Sequence, residues 1–384
     1  MERCVDYGVS GSEKESAKKS ACLVKGGFKS LKLFSLVTVG SFAAVAALTG
    51  CSNGDQNGSF SSLLGQFAGS GASSQSSAVD VWRSGFQAKN GSASVTYDGK
   101  GSGGGRKDLI DGAVLFVGSD TALTDDEVKK AKEGACKGGN VVEVPVYISP
   151  IAIVYNLDGV KDLKLDSETI AKIFDGAITK WNDAAIKAEN PGVNLPNKAI
   201  TPVHRSDQSG TTENFTDYLA KTAGNVWKHP ASGSWPNNVG QSGQETSGLV
   251  NVVSQSSGTI GYADASKVGK LSTVAVKVGS SYVKYSVGGA AKLVEDSPYA
   301  SSDGRYVVKL NRKITDAKYY PLVLVSYQET CSVHKDQRSG DFVRSWLGYI
   351  TSEEAQKKAT EEAGSAPISA TIRDRIKKSI ESIK

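Results

Sequence analysis

Residues 199–219 constrain this chain more than any other stretch. An apolar run, Ala199-Ile200-Thr201-Pro202-Val203, leads into His204-Arg205-Ser206-Asp207-Gln208-Ser209-Gly210-Thr211-Thr212, and Phe215, Tyr218 and Leu219 then follow at helical spacing. That order reads as strand, tight loop and helix N-terminus, a place where backbone N–H groups converge on an anion. Arg205 adds a planar, permanently charged fork suited to tetrahedral oxyanions. Asp207, two residues on, can orient that fork. Two readings stay open on this segment alone: an oxyanion site, with phosphate the first candidate, or an N-cap beside a surface Arg–Asp ion pair.

Other polar loops fall in the same kind of place. Ser94-Val95-Thr96-Tyr97 alternates as a strand and runs into the loop Gly99–Gly105, and a short helical pattern with Leu109 and Ile110 comes next. Ala113 to Val117 is a compact apolar run ending at Gly118-Ser119-Asp120. Val141 to Tyr155 reads as a long extended segment broken by Pro145 and Pro150. Asp166 looks like a helix cap, with Ile170, Ile173 and Phe174 at helical spacing and Gly176 as the stop. Thr259–Tyr262 and Tyr320–Tyr327 are further strands, and two helical patterns close the chain, around Phe342, Trp346 and Ile350 and from Ile368 to Ile383. Strands alternating with helices predict an α/β architecture with largely parallel sheets. Ser102, Asp120 and the Arg205–Thr211 group each follow a strand's C-terminal end, the edge where open α/β sheets bind ligands.

The N-terminal region reads as an address. Lys18, Lys19, Lys25, Lys29 and Lys32 make a basic lead, and an uncharged apolar stretch from Leu33 to Leu48 follows, shorter than the ~20 residues of a membrane span. It closes in Leu48-Thr49-Gly50-Cys51, which resembles a bacterial lipobox, so residues 1–51 are expected to be a lipoprotein signal peptide with Cys51 lipidated. Ser, Gly, Asn and Gln dominate residues 52–78; a flexible tether is expected over 52–68, with the folded part starting at residue 69. The formal net charge of +5 includes the basic lead. No basic stripe with interleaved aromatics points to nucleic acid. His204, His229 and His334 lack ligand spacing, so neither a metal nor another cofactor is expected. Cys136 and Cys331 remain as an even pair in an exported chain, and a disulfide between them is the expectation.

At this point several spaced blocks match one family. The segment from about Gly69 to Lys384 resembles the phosphate-binding lipoprotein of the bacterial phosphate-specific ABC transport system, a type II periplasmic-type binding protein. The most specific block is Arg205-Ser206-Asp207-Gln208-Ser209-Gly210-Thr211, where the family carries Arg-x-Asp-x-Ser-Gly-Thr. Gly101-Ser102-Gly103-Gly104-Gly105, Gly118-Ser119-Asp120, Ile173-Phe174-Asp175-Gly176 with Lys180-Trp181, and Gly258-Thr259-Ile260-Gly261-Tyr262 support it. The resemblance implies a phosphate site made of Ser73, Ser74, Ser102, Asp120, Arg205, Ser209, Gly210 and Thr211, with Asp207 holding Arg205. Residues 63–95 depart most from the family, which bears on the first-loop positions Ser73 and Ser74.

The implied fold is two-lobed, with mixed, mostly parallel sheets and crossings near Ile151–Tyr155 and Tyr319–Leu322. Lobe one takes residues 69–152 and 322–384, lobe two 153–321. The implied partners are inorganic phosphate, ABC permease subunits and the membrane, the last through the lipid on Cys51. Competing readings are a binding protein for sulfate or molybdate, a surface sensor or adhesin on the same fold, and an exported phosphatase or serine hydrolase. The Gly-x-Ser-x-Gly match at Gly50–Gly54 straddles the lipobox and reads as chance, so no enzyme is expected.

Overall fold

The computed structural model describes residues 63–384. The expectations for the leader, for Cys51 and for most of the tether lie outside the described residues. The tether is shorter than its composition implies: strand β1 (Gly65–Gly71) starts inside it. Leu63 and Phe67 are the reason, because both are buried in the main core despite their Ser/Gly-rich surroundings.

Strands β1, β2 (Ala93–Asp98) and β3 (Phe116–Ser119) form one parallel wing, with β1 between the other two. Helix α1 (Ser76–Lys89) connects β1 to β2, and α2 (Ser102–Ile110) connects β2 to β3. The other wing is β5 (Thr201–Arg205) between β6 (Gln241–Gly243) and β7 (Thr259–Asp264), again parallel, with α3 (Gly210–Thr222) and α4 (Glu245–Gln255) as its connections. Between the wings lie β4 (Val141–Asn156) and β8 (Val323–Cys331). The order across the sheet is β2-β1-β3-β8-β4-β7-β5-β6. The wings are parallel as expected, but every pairing of β4 and β8 on this path is antiparallel.

β4 runs for 16 residues and, except for Asn156, is buried throughout. The expected breaks at Pro145 and Pro150 do not interrupt it. Opposite β8, Tyr327 faces Pro145 whereas Ser326 faces Tyr147, which leaves Val146 as the extra residue of a bulge. Pro150 is the last residue paired with β8, and from Ile151 onward β4 pairs with β7. A proline has no N–H for the ladder, and a bulge and a change of partner are the places that tolerate one. The approach to β8 is tied to the same point: Ile151 N donates to Leu322 O at 2.8 Å and Tyr320 Oη to Ile151 O at 2.8 Å.

Helix placement follows the apolar periodicity. Asp166 caps its helix by accepting the Thr169 N–H, and Gly176, at φ 79°, follows the helix end. Phe215, Tyr218 and Leu219 bury one face of α3, with the Phe215 ring stacked on Tyr262 at 4.3 Å. The C-terminal part holds one helix more than expected, Glu353–Ala363, between Gln337–Ile350 and Ala370–Glu381. Its sequence, EEAQKKATEEA, buries only Ala355, Ala359, Ala363 and Gln356, so periodicity had little to detect.

Cys136 and Cys331 are disulfide-bonded across a separation of 195 residues. The bond lies in a small apolar cluster with Leu109, Val117, Leu123, Ala131 and Val141, apart from the main core. A cross-link over so long a loop restricts the unfolded chain by about 5 kcal/mol on the entropy account. Cys136→Ser with Cys331→Ser is therefore expected to lower the thermal midpoint by several degrees in calorimetry; a midpoint unchanged from the oxidised wild type would contradict that contribution.

Candidate anion-binding site

The loops after β1, β2, β3 and β5 meet on one side of the sheet, and each leads within a few residues into a helix. Asp120 lies just past β3, 3 % exposed. Its carboxylate accepts hydroxyls from three elements: Ser74 ahead of α1 (2.7 and 2.8 Å to the two oxygens), Thr211 in the first turn of α3 (2.9 Å) and Ser326 of β8 (2.6 Å). Its backbone is held too, the N–H by Ser102 Oγ at 3.1 Å and the carbonyl by Asn214 Nδ2 at 2.7 Å. Burial pushes the Asp120 carboxyl above its ordinary value, and the three hydroxyls and the nearby Arg205 charge pull against it. Donated hydroxyls favour the ionised, acceptor-only form.

Arg205 ends β5 and is 3 % exposed. Asp207 receives its Nε at 2.8 Å and pairs with its Nη2, closing a two-point fork. The same carboxylate accepts the Glu245 N–H at 2.9 Å. The remaining arm of the guanidinium, Nη1, reaches Thr246 Oγ1 at 3.4 Å. Thr246 in turn joins Ser73: the two hydroxyls are 3.0 Å apart, and the Thr246 N–H donates to Ser73 Oγ at 3.1 Å. Burial lifts the Asp207 carboxyl, but Arg205 outweighs it through hydrogen bonding and charge, so its pKa ends below the ordinary value.

These contacts bring the starts of α1, α2, α3 and α4 together. The first amides of a helix have no partner inside it, and four such ends sum to a field that attracts negative charge. Ser209 Oγ accepts the Thr212 N–H as the cap of α3, and Ser102 Oγ accepts Asp120 N. A hydroxyl that accepts an N–H keeps its own proton to donate. The glycines serve contact rather than flexibility. Gly71 (φ 130°) lies so close to Gly118 O that no Cβ fits, and a Cβ on Gly105 would come 2.5 Å from Gly71 Cα. The expected loop at Gly99–Gly105 is thus shorter and from Ser102 onward is the first turn of α2, because Gly105 lets that turn pack against β1.

The family model of the PBP superfamily domain matches residues 59–354. The chain is 30% identical over 327 residues to Phosphate-binding protein PstS 3 of Mycobacterium leprae, covering 80% of this chain and 88% of that protein. This chain belongs to the PstS phosphate-binding protein family. It is 38% identical over 205 residues to Phosphate-binding protein PstS of Xylella fastidiosa, covering 52% of this chain and 53% of that one. Its fold is that of a phosphate-binding protein from Stenotrophomonas maltophilia, with a TM-score of 0.66 at 20% identity, over 82% of this chain and 93% of the other.

Every residue that the PstS resemblance singles out lies in this one cluster. Ser74, Ser102 and Thr211 gather on Asp120; Ser73 meets Arg205 through Thr246; Ser209 and Gly210 open α3, with Gly210 packed against Asp120. Sequence reasoning missed Ser326, Thr246 and Asn214. Thr246 carried a usable signal, since it follows Gln241–Gly243 at another strand-to-helix junction. Ser326 sits inside an apolar strand and had none.

The lowered pKa fixes how Asp207 acts on stability. Its contribution is complete above the unfolded value of about 3.8 and is lost as the pH falls through the lower folded value. Asp207→Asn is expected to flatten the rise of melting temperature with pH at the acid end; an unchanged slope relative to wild type would contradict the Arg205–Asp207 assignment.

Proposed function

We propose that this chain is an extracytoplasmic solute-binding protein that captures inorganic phosphate between two lobes and hands it to an ABC permease. One observation carries the reading: a buried, hydroxyl-held carboxylate, Asp120, beside an oriented guanidinium, Arg205, and the opening turn of α3. Arg205, the protons of Ser102 and Ser209 and the amides of Ser74, Gly210 and Thr211 supply attraction for a tetrahedral anion. Ser73 completes the set through Thr246. Asp120 supplies the choice. Phosphate near neutral pH carries at least one proton and can donate it to Asp120. Sulfate carries none and would set negative charge against a buried carboxylate.

The proposed lobes are residues 69–152 with 322–384, and 153–321. The partner change of β4 at Ile151 and the contacts of Tyr320 and Leu322 to that residue support crossings there. On this division Asp120 takes Ser74 and Ser326 from its own lobe and Thr211 from the other, so closure and formation of the site are one event. Among the described residues no helix is long and apolar enough to cross a membrane. Attachment is assigned to a lipid on Cys51, on the strength of the Leu-Thr-Gly-Cys sequence.

Calorimetric titration of the mature chain is expected to show phosphate bound more tightly than sulfate by about 10⁴-fold or more. Asp120→Asn is expected to weaken phosphate by about 10- to 100-fold, the value of a hydrogen bond to a charged group, and to narrow the ratio. Equal affinity for the two ions would contradict the reading, and tighter sulfate or molybdate would reassign the ligand. Cys51→Ser is expected to move the protein from the membrane fraction into the medium; continued membrane attachment would contradict the anchor.

A further inference from the structure

Arg312 lies on the segment leading to the second crossing, far from Arg205 in sequence, and is 2 % exposed. A buried guanidinium costs several kcal/mol of lost hydration unless its donors are matched. Here they are matched by two different parts of the fold. Nη1 donates to Pro321 O at 2.9 Å and Val323 O at 2.6 Å, the carbonyls at the start of β8. Nε donates to Asp217 Oδ2 at 3.0 Å and Nη2 to Asn214 Oδ1 at 2.6 Å, both on α3. The chain of contacts continues from Asn214, whose Nδ2 donates to Asp120 O at 2.7 Å and to Gly210 O at 3.0 Å. One planar group therefore reads the spacing between a crossing strand and α3. The amide next to it passes that spacing to the backbone of Asp120 and to the residue that opens α3.

The planar fork makes this a conditional arrangement. Its donors point in fixed directions, so all four acceptors are reached only while α3 and the Pro321–Val323 segment keep their present relation. On the lobe division given above Arg312, Asn214 and Asp217 move together, so opening would draw Val323 O away from Nη1 and leave a donor of the buried charge short of a partner. The same motion would part Asn214 Nδ2 from Asp120 O, which lies in the other lobe, so the two contacts that cross between lobes are lost together. We infer that Arg312 is a positioning residue that couples the second crossing to the phosphate site through Asn214 and Asp120, favouring the closed form without touching the anion. This rests on the phosphate-binding reading above.

Beside this relay is a cavity of about 330 Å³, lined in part by Asp120, Asn214, Asp217, Arg312 and Val325. It gives a substituted side chain room to relax, so the test can be made on folded protein. Arg312→Met keeps the length and removes the fork, Arg312→Lys keeps the charge, and Asn214→Ala cuts the relay while leaving Arg312 in place. Each is titrated with inorganic phosphate by calorimetry, and its radius of gyration is measured by small-angle scattering with and without phosphate. Arg312→Met and Asn214→Ala are each expected to weaken phosphate by about 5- to 150-fold, the usual span of a coupling between sites, and to stay expanded at phosphate concentrations that close the wild type. Arg312→Lys is expected to fall between. The double variant is expected to be no weaker than the worse single one, since both break the same chain.

A variant that melts lower but binds phosphate and closes as the wild type does would overturn the proposal, because Arg312 would then serve stability alone. Additive losses in the double variant would overturn it as well. If Arg312→Met fails to fold, Asn214→Ala decides by the same readouts. If the wild type itself does not bind phosphate, the functional reading fails separately, and the ligand-free radii still judge the relay: expansion in Arg312→Met supports it, identical radii overturn it.

Discussion

A carboxylate taken out of water must have its acceptor capacity filled, and much of this molecule is organised around doing that for Asp120. Hydroxyls reach it from the turn ahead of α1, from the first turn of α3 and from the middle of β8, while Ser102 and Asn214 hold its backbone. Loss of any one donor would leave a buried oxygen short of a partner, at a cost of about 1–3 kcal/mol or more for a charged group. Elements with no sequence relation are thereby obliged to meet. β8 is drawn to the centre of the sheet from the far end of the chain, and its Ser326 is the one polar side chain that it brings to Asp120. The antiparallel pairing of the fully buried β8 with β3 and β4 places Ser326 within reach of Asp120.

The second organising element is the use of helix starts. α1, α2, α3 and α4 open onto the same small volume, and the glycines there are small because backbones touch. Helix ends placed in this way provide a positive field without a cluster of cations, so Arg205 needs no second arginine beside it. Asp207 orients that single guanidinium and also takes the amide of Glu245, which stands at φ 58° at the start of α4. The strained residue sits where the chain must turn sharply to deliver Thr246 to Ser73 and Arg205.

What was legible in the sequence was local. The Arg205–Thr211 block, Asp120 at a strand end, the Asp166 cap and the parallel wings could all be read because a few adjacent residues carry them. What was not legible depends on distant pairing. Ser326 looks like an ordinary strand residue, and Arg312 like a surface cation among Asn311 and Lys313, until the fold brings Asn214 and Asp217 to it. The prolines of β4 read as breaks because the bulge and the change of partner that accommodate them are properties of the neighbouring strands. Likewise, Phe67 could not announce the start of β1 from within a Ser/Gly-rich stretch. The helix Glu353–Ala363 hid behind its charges, since alanines give a small apolar signal.

A high-resolution crystal structure of the mature chain with phosphate tests the central claim most directly. The account requires the anion among Ser102, Arg205 and the first amides of α3, with one of its oxygens about 2.5–2.7 Å from an Asp120 carboxylate oxygen, a hydrogen bond that a proton must bridge. Phosphate bound elsewhere, or bound there with Asp120 beyond hydrogen-bond reach, would contradict it.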